Sequence, residues 1–166
     1  MRKGWKILIV LLSALLVFVL VAGFAIANFM IELALNPNSD KTVALEADHN
    51  EVDLPEDYMT SYKLQRGWFD ESGYYTQQIE SYDGLSLNAY LLGTRQPSDP
   101  WVILCQGYTS WGLQLAGPAQ NFYANGYNVL MPDARGCGDS EGGYMGMGWP
   151  DRLDLLDWVD LVNEQY

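Results

Sequence analysis

Residues 7–27 form an apolar run in which Ser13 is the one plainly polar side chain and no residue is charged. A helix of that length crosses a hydrocarbon core of about 30 Å. Asn36, Pro37, Asn38, Ser39 and Asp40 follow it closely and predict an exit turn, because Pro and Asn stop a helix. Residues 44–55 lose the apolar pattern and carry Glu46, Asp48, Glu51 and Asp53, which reads as a solvated linker. Residues 58–69 fit either a short helix or a strand that packs Trp68 and Phe69 against a domain.

Residues 74–82 and 85–92 are β-rich and flank Asp83-Gly84, a strong hairpin signal. Leu85, Leu87, Ala89 and Leu91 alternate with Ser86, Asn88 and Tyr90, which places one face on the core and the other toward water. After a two-proline loop at 94–100, residues 101–105 (WVILC) predict a fully buried strand. Pro118 suits the first turn of a helix, Ala119, Phe122 and Tyr123 supply its apolar stripe, and Gly126 its left-handed cap. Residues 127–131 form the next strand. Two buried strands joined by a helix make a βαβ unit with parallel strands. From Asp151 onward, Leu155, Leu156, Val159 and Val162 predict the buried stripe of a final helix, with Asp151, Asp154, Asp157 and Asp160 on its solvated side.

This pattern divides the chain into a transmembrane anchor at 1–35, an acidic linker at 36–58 and an α/β domain at 59–166. Charge orients the anchor: Arg2, Lys3 and Lys6 precede the apolar run, and all 21 acidic residues follow it. By the positive-inside rule the N-terminus stays in the cytoplasm and the domain is exported. Ala25-Ile26-Ala27 also has the form of a signal-peptidase site, but the run exceeds the ~7–15 residues of a signal core, so an uncleaved single-pass anchor is expected. A net charge of −12 disfavours nucleic acid and anionic surfaces as partners. Nothing in the sequence implies a cofactor or a metal. His49, the one histidine, lies among carboxylates without ligand spacing or an apolar frame.

The residues after the two central strands carry a family resemblance. Gln106-Gly107-Tyr108-Thr109-Ser110 follows the first, and Pro132-Asp133-Ala134-Arg135-Gly136-Cys137-Gly138-Asp139-Ser140-Glu141-Gly142 follows the second. Over residues 74–166 the chain resembles the α/β-hydrolases, most closely membrane-anchored bacterial serine hydrolases of the serine aminopeptidase and lysophospholipase-like branch. Gln106 and Cys137 stand where that pattern has histidine. The resemblance implies the first half of a hydrolase sheet, an antiparallel hairpin followed by a parallel βαβ unit. It also implies hydrolysis of ester, thioester or peptide bonds, and a backbone oxyanion donor at the Tyr108 N–H.

The remaining machinery of acyl transfer is not visible. Residues 138–142 satisfy G-x-S-x-G, yet a nucleophile elbow must lie directly between a strand and a helix. Ser140 instead sits several residues past a strand and before a glycine-rich segment, and His49 precedes every candidate nucleophile. The expectation is a truncated hydrolase-type chain lacking nucleophile, acid and base, inactive alone, with small-molecule or peptide substrates only if the missing half is supplied. The other reading is a non-catalytic membrane-anchored interaction or remnant protein. Cys105 and Cys137, both near strand ends, fit either two free thiols or a disulfide.

Overall fold

The structure, a computed structural model, describes residues 2–39, 56–93 and 99–166. The chain divides into two compact units, Met1–Ala47 and Asp48–Tyr166, each described here by itself. The expected linker at 44–55, His49 and most of the loop at 94–100 fall outside the described residues.

The first unit is helix α1, Arg2–Leu35, whose span Gly4–Leu35 is long and apolar enough to cross a membrane. Its two interior polar side chains bond to the helix's own carbonyls. Ser13 Oγ donates to Val10 O at 2.9 Å and Asn28 Nδ2 to Phe24 O at 2.8 Å. Internal pairing of this kind is what a hydrocarbon surrounding demands. The exit turn forms as expected: the residue before Pro37 is biased out of the helical region, and Asn36 Oδ1 accepts the Asn38 N–H at 2.8 Å.

The first described element of the second unit is α2, Glu56–Glu71, so the segment left open between helix and strand is a helix. It delivers Phe69 into the core and stacks it on Tyr74, with ring centroids 4.5 Å apart. Four strands follow: β1 Tyr75–Glu80, β2 Ser86–Leu92, β3 Trp101–Ile103 and β4 Asn128–Pro132. Their order in the sheet is β1-β2-β4-β3. The Asp83-Gly84 hairpin pairs β1 and β2 antiparallel from Tyr75↔Leu91 to Glu80↔Ser86. β2 pairs antiparallel with β4, and β4 runs parallel to β3 with Val102 opposite Val129. Between β3 and β4 a short 3₁₀ turn, Gly112–Leu115, leads into α3, Ala116–Ala124. Pro118 sits in its first turn, and Gly126 closes it at φ 83°. The final helix, α4, is Asp151–Gln165. The sheet is thus a hairpin joined to a βαβ unit, as the pattern predicted.

Burial departs from that pattern in four places, each with a physical cause. β2 was expected to wet one face, but Asn88 and Tyr90 are both buried. β2 lies between two neighbours, and helices cover both sides of it. Tyr90 and Leu92 join Phe69, Ala119, Val129 and Met131 in one cluster, while Leu87, Ala89 and Leu91 join Leu130, Trp158 and Leu161 in the other. β3 is half-buried instead of fully buried, because within this sheet only β4 pairs with it. Phe122 lies on the outside of α3 and meets Tyr127 edge-on, leaving Ala116, Ala119 and the half-buried Tyr123 to face the core.

The fourth departure is the largest. α4 is rotated from its predicted orientation: Leu156 is 57% exposed and Leu155 lies at the surface, whereas Asp154, Trp158 and Leu161 are buried. The stripe 154, 158, 161 has helical spacing as good as the one expected. It wins because Asp154 has a buried cation to neutralise and Trp158 has more area to bury. Rotation leaves Asp157 partly inside with Oδ2 unpaired, and desolvation, reinforced by the charges of Asp154 and Asp160, raises its pKa.

Two substitutions separate these orientations. Trp158→Ala is expected to cost about 3–5 kcal/mol, the range for an aromatic removed from a core, and Leu156→Ala within about 0.5 kcal/mol, as at a surface site. Urea midpoints of the two variants are the check; an orientation burying Leu156 would reverse their order.

Candidate active site

The parallel strands β3 and β4 end at the same edge of the sheet. In open α/β sheets that edge, outside the carboxyl ends of the strands, is where ligands bind. The loops leaving β3 (residues 104–111) and β4 (residues 133–150) therefore decide what this surface can do.

Asp133, the first residue after β4, is 1% exposed and organises its loop. Its Oδ1 accepts the Gly112 N–H at 2.6 Å, and its Oδ2 accepts the Asp139 N–H at 3.0 Å and Asn88 Nδ2 at 3.4 Å. Three segments are thereby tied to one carboxylate. Gly138 is required here: it has φ 54°, and a Cβ on it would stand 2.3 Å from Asp133 Oδ2.

Ser140 serves the same arrangement. Its hydroxyl donates to the Asp133 carbonyl at 2.7 Å and accepts the Asn88 N–H at 2.8 Å. The loop then zips onto β2, with the Ser86 N–H on Glu141 Oε2 at 2.8 Å and the Glu141 N–H on Ser86 O at 2.9 Å. Ser140 is buried, bonded in both directions, and followed by turns rather than a helix. The G-x-S-x-G string is therefore a brace between loop and strand, and its geometry is not that of a nucleophile elbow.

Arg135, two residues beyond Asp133, is 4% exposed on its side chain. Its Nε and Nη2 donate to the two Asp154 oxygens at 2.7 and 2.6 Å, and Nη1 and Nη2 to those of Asp83 at 2.9 and 3.1 Å. Asp151 adds a carboxylate oxygen 3.8 Å from Nε. These bonds, Asp154 first, push the guanidinium pKa up, and Arg135 in turn lowers that of Asp83. The cluster joins the β4 loop, α4 and the first hairpin. Sequence reasoning missed it by assigning the α4 aspartates to solvent. The available signal was the offset of three or four residues among Asp151, Asp154, Trp158 and Leu161, which is a helix face in its own right.

Around this frame two adjoining clefts open at the strand ends. One, of about 340 Å³, is walled chiefly by Cys105, Pro132, Ala134, Leu155 and Trp158; the other, of about 280 Å³, by Gly107, Tyr108, Cys137, Met145 and Met147. Gln106, Ala134, Gly148 and Asp151 border both. Tyr108, the expected oxyanion donor, thus lies on the wall of a cleft at the carboxyl ends of the parallel strands, with its residue half exposed. Next to it Thr109 holds φ 61°, a left-handed conformation rare outside glycine. Cys105 carries a free thiol, so no disulfide joins it to Cys137, and desolvation raises the Cys105 pKa, which moves it away from the reactive thiolate. No imidazole stands among the described residues, and no group of three metal-binding side chains occurs among them.

The same frame is found in solved structures. An esterase of Pyrococcus furiosus superposes with a TM-score of 0.52 at 26% identity, over 58% of this chain and 37% of that one. A second crystal form of a Pyrococcus furiosus esterase gives 0.51 at 30% identity, over 58% of this chain and 38% of that one. The chain is related to the α/β-hydrolases over part of its length. The α/β-hydrolase GrgF of a Penicillium species shares the fold, with a TM-score of 0.52 at 24% identity over 56% of this chain and 33% of that one. This chain thus matches well under half the length of these hydrolases. No family model matches it, and no curated protein matches it.

The Arg135 cluster makes stability depend on acid in a defined direction. The Asp83 pKa lies below its ordinary 3.8 when folded, so its contribution is present above that value and is lost as pH falls through the lower folded one. Melting temperatures of wild type and Asp83→Asn are expected to differ at pH 5, and the difference to shrink as pH falls below 3.8 toward the lower folded value. Asp154→Ala, which removes two of the hydrogen bonds of a buried guanidinium and leaves it those to Asp83, is expected to destabilise at pH 7 by less than the about 3–5 kcal/mol of a fully broken buried pair, read from urea unfolding.

Proposed function

We propose that this chain is a membrane-anchored hydrolase-type protein of the serine-hydrolase class, directed at ester, thioester or peptide bonds on the extracytoplasmic side. Its described residues hold the oxyanion side of the site, and neither nucleophile nor base is among them. The observation that carries this reading is the position of the loop 106–110. It leaves a parallel strand, borders two clefts, and belongs to a frame shared with an esterase at 26% identity. A backbone N–H in that position can stabilise the negative charge that develops on a carbonyl oxygen, whatever side chain the residue bears. Tyr108 is the residue proposed for that role. Arg2, Lys3 and Lys6 before α1 support a cytoplasmic N-terminus with the domain outside.

A second reading, a membrane-anchored protein that binds without catalysing, is favoured by one specific observation. Ser140, which completes the one G-x-S-x-G string, has its hydroxyl engaged by Asn88 and Asp133.

Three measurements test the proposal. A fluorophosphonate probe is expected to leave the purified chain unlabelled; labelling that disappears in Ser140→Ala overturns the brace assignment. Titration with a boronic acid above its own pKa, where added hydroxide makes it a tetrahedral anion without any protein nucleophile, is expected to move the Tyr108 amide resonance downfield, and an unmoved resonance at saturation removes Tyr108 from the oxyanion role. In cells, protease added outside is expected to digest the domain while sparing a tag placed before Arg2. Protection of the domain reverses the orientation.

A further inference from the structure

Gln106 stands where the hydrolase pattern has histidine, and its two amide atoms are used in opposite senses. Oε1 accepts the Ala134 N–H at 3.2 Å, from the loop after β4, and Nε2 donates to the Ser110 carbonyl at 2.6 Å, within its own loop. The partners fix the orientation of the amide: an N–H must face its oxygen and a carbonyl must face its nitrogen. The side chain therefore clamps two loops together. It also closes the five-residue segment that carries Gly107, Tyr108 and Thr109. The Ser110 N–H on Gly107 O at 3.2 Å and the Ser110 hydroxyl on Gln114 Oε1 at 2.6 Å complete that closure.

We propose that Gln106 is the positioning residue that sets the Tyr108 loop, and that it makes the setting independent of pH. This inference rests on the oxyanion reading for what the loop does, and on bond geometry alone for how the loop is held. An imidazole can supply one donor and one acceptor only while neutral; once protonated both nitrogens are donors, and the Ala134 N–H faces another N–H. An amide side chain supplies both at every pH a protein meets. Gln106 thus performs without titration the double contact that histidine makes only in its neutral form.

The inference predicts opposite pH dependences for two variants. Gln106→His keeps its acceptor above an imidazole pKa near 6.5 and loses it below. Gln106→Glu accepts from Ala134 throughout, but donates to the Ser110 carbonyl only when protonated, below a carboxyl pKa of about 4.3. The titratable or charged groups along the same clefts are Cys105, Tyr108, Asp133, Cys137, Asp151, Arg152 and Asp154. They are common to the wild type, so the Gln106 chain is the control for their titration.

The test is amide hydrogen exchange of the full chain in lipid nanodiscs from pH 3.5 to 8, expressed as protection relative to intrinsic exchange at each pH. In the wild type, protection of Ala134 and Ser110 is expected to stay constant within a factor of about 2. In Gln106→His, Ala134 protection is expected to fall at least tenfold as pH drops below 6. In Gln106→Glu, protection of the Ser110 amide, whose bond to Gly107 O closes the loop that the Gln106–Ser110 carbonyl bond holds, is expected to fall at least tenfold as pH rises above 5. Each variant supplies its own folded reference at the other end of the range. Wild-type-like profiles in both variants overturn the proposal, as does a Gln106→Leu chain that keeps both amides protected. No step reads activity or oxyanion binding, so failure here is distinct from an unmoved Tyr108 resonance in the boronate titration.

Discussion

A guanidinium taken almost wholly out of water must have its charge met on the spot, because a buried unpaired ion costs several kcal/mol. Arg135 is such a group, and the aspartates that meet it come from far apart in sequence: Asp83 from the first hairpin and Asp154 from the last helix. Each contact constrains the element that supplies it. The hairpin tip is held against the loop after β4, and α4 turns its acidic edge inward with Trp158 and Leu161 following on the same face. Electrostatic need and hydrophobic burial point the same way on this helix, which is why the exposed leucines are tolerated.

A second buried charge, the Asp133 carboxylate, does for the loops what Arg135 does for the elements. It collects N–H donors from the 3₁₀ turn after β3, from β2 and from its own loop. Ser140 then accepts from and donates to the same neighbourhood. A string that reads as catalytic in one dimension is structural in three, because the hydroxyl is held inside a turn that no helix follows. The floor of the cleft is therefore rigid backbone braced from below, and the loop around Tyr108 is held from the side by Gln106. Preorganised backbone donors are what the oxyanion role proposed for Tyr108 requires.

From β1 onward the order of strands and helices was legible because it depends on short-range signals, while the helix at 56–71 was left open between helix and strand. Asp83-Gly84 sits between β-rich runs, Pro118 and Gly126 bracket a helix, and the runs 101–105 and 127–131 are continuous enough to name as strands. The esterase similarity agrees with the fold inferred from the residues after those strands. What was not legible was which face of each element turns inward. Along β2, Asn88 and Tyr90 look like solvent-facing positions until Asp133, Ser140 and Asp139 arrive from 45 to 52 residues away to bond them. Along α4, two stripes of equal periodicity overlap, and the choice between them was made by Arg135, which no local pattern on the helix can register. The part played by Gln106 was hidden for the same reason, since its second partner, Ala134, lies 28 residues on.

Hairpin tips are ordinarily the most permissive places in a small domain, where insertions, tags and new chain ends are accepted at little cost. The tip at Asp83-Gly84 is an exception despite its exposure, for Asp83 is wired into the interior through Arg135 and also accepts from Ser81 Oγ at 2.7 Å. A domain-insertion scan should therefore find this turn closed to foreign sequence, and the Asn125-Gly126 turn beyond α3, with its side chains at the surface, open to it.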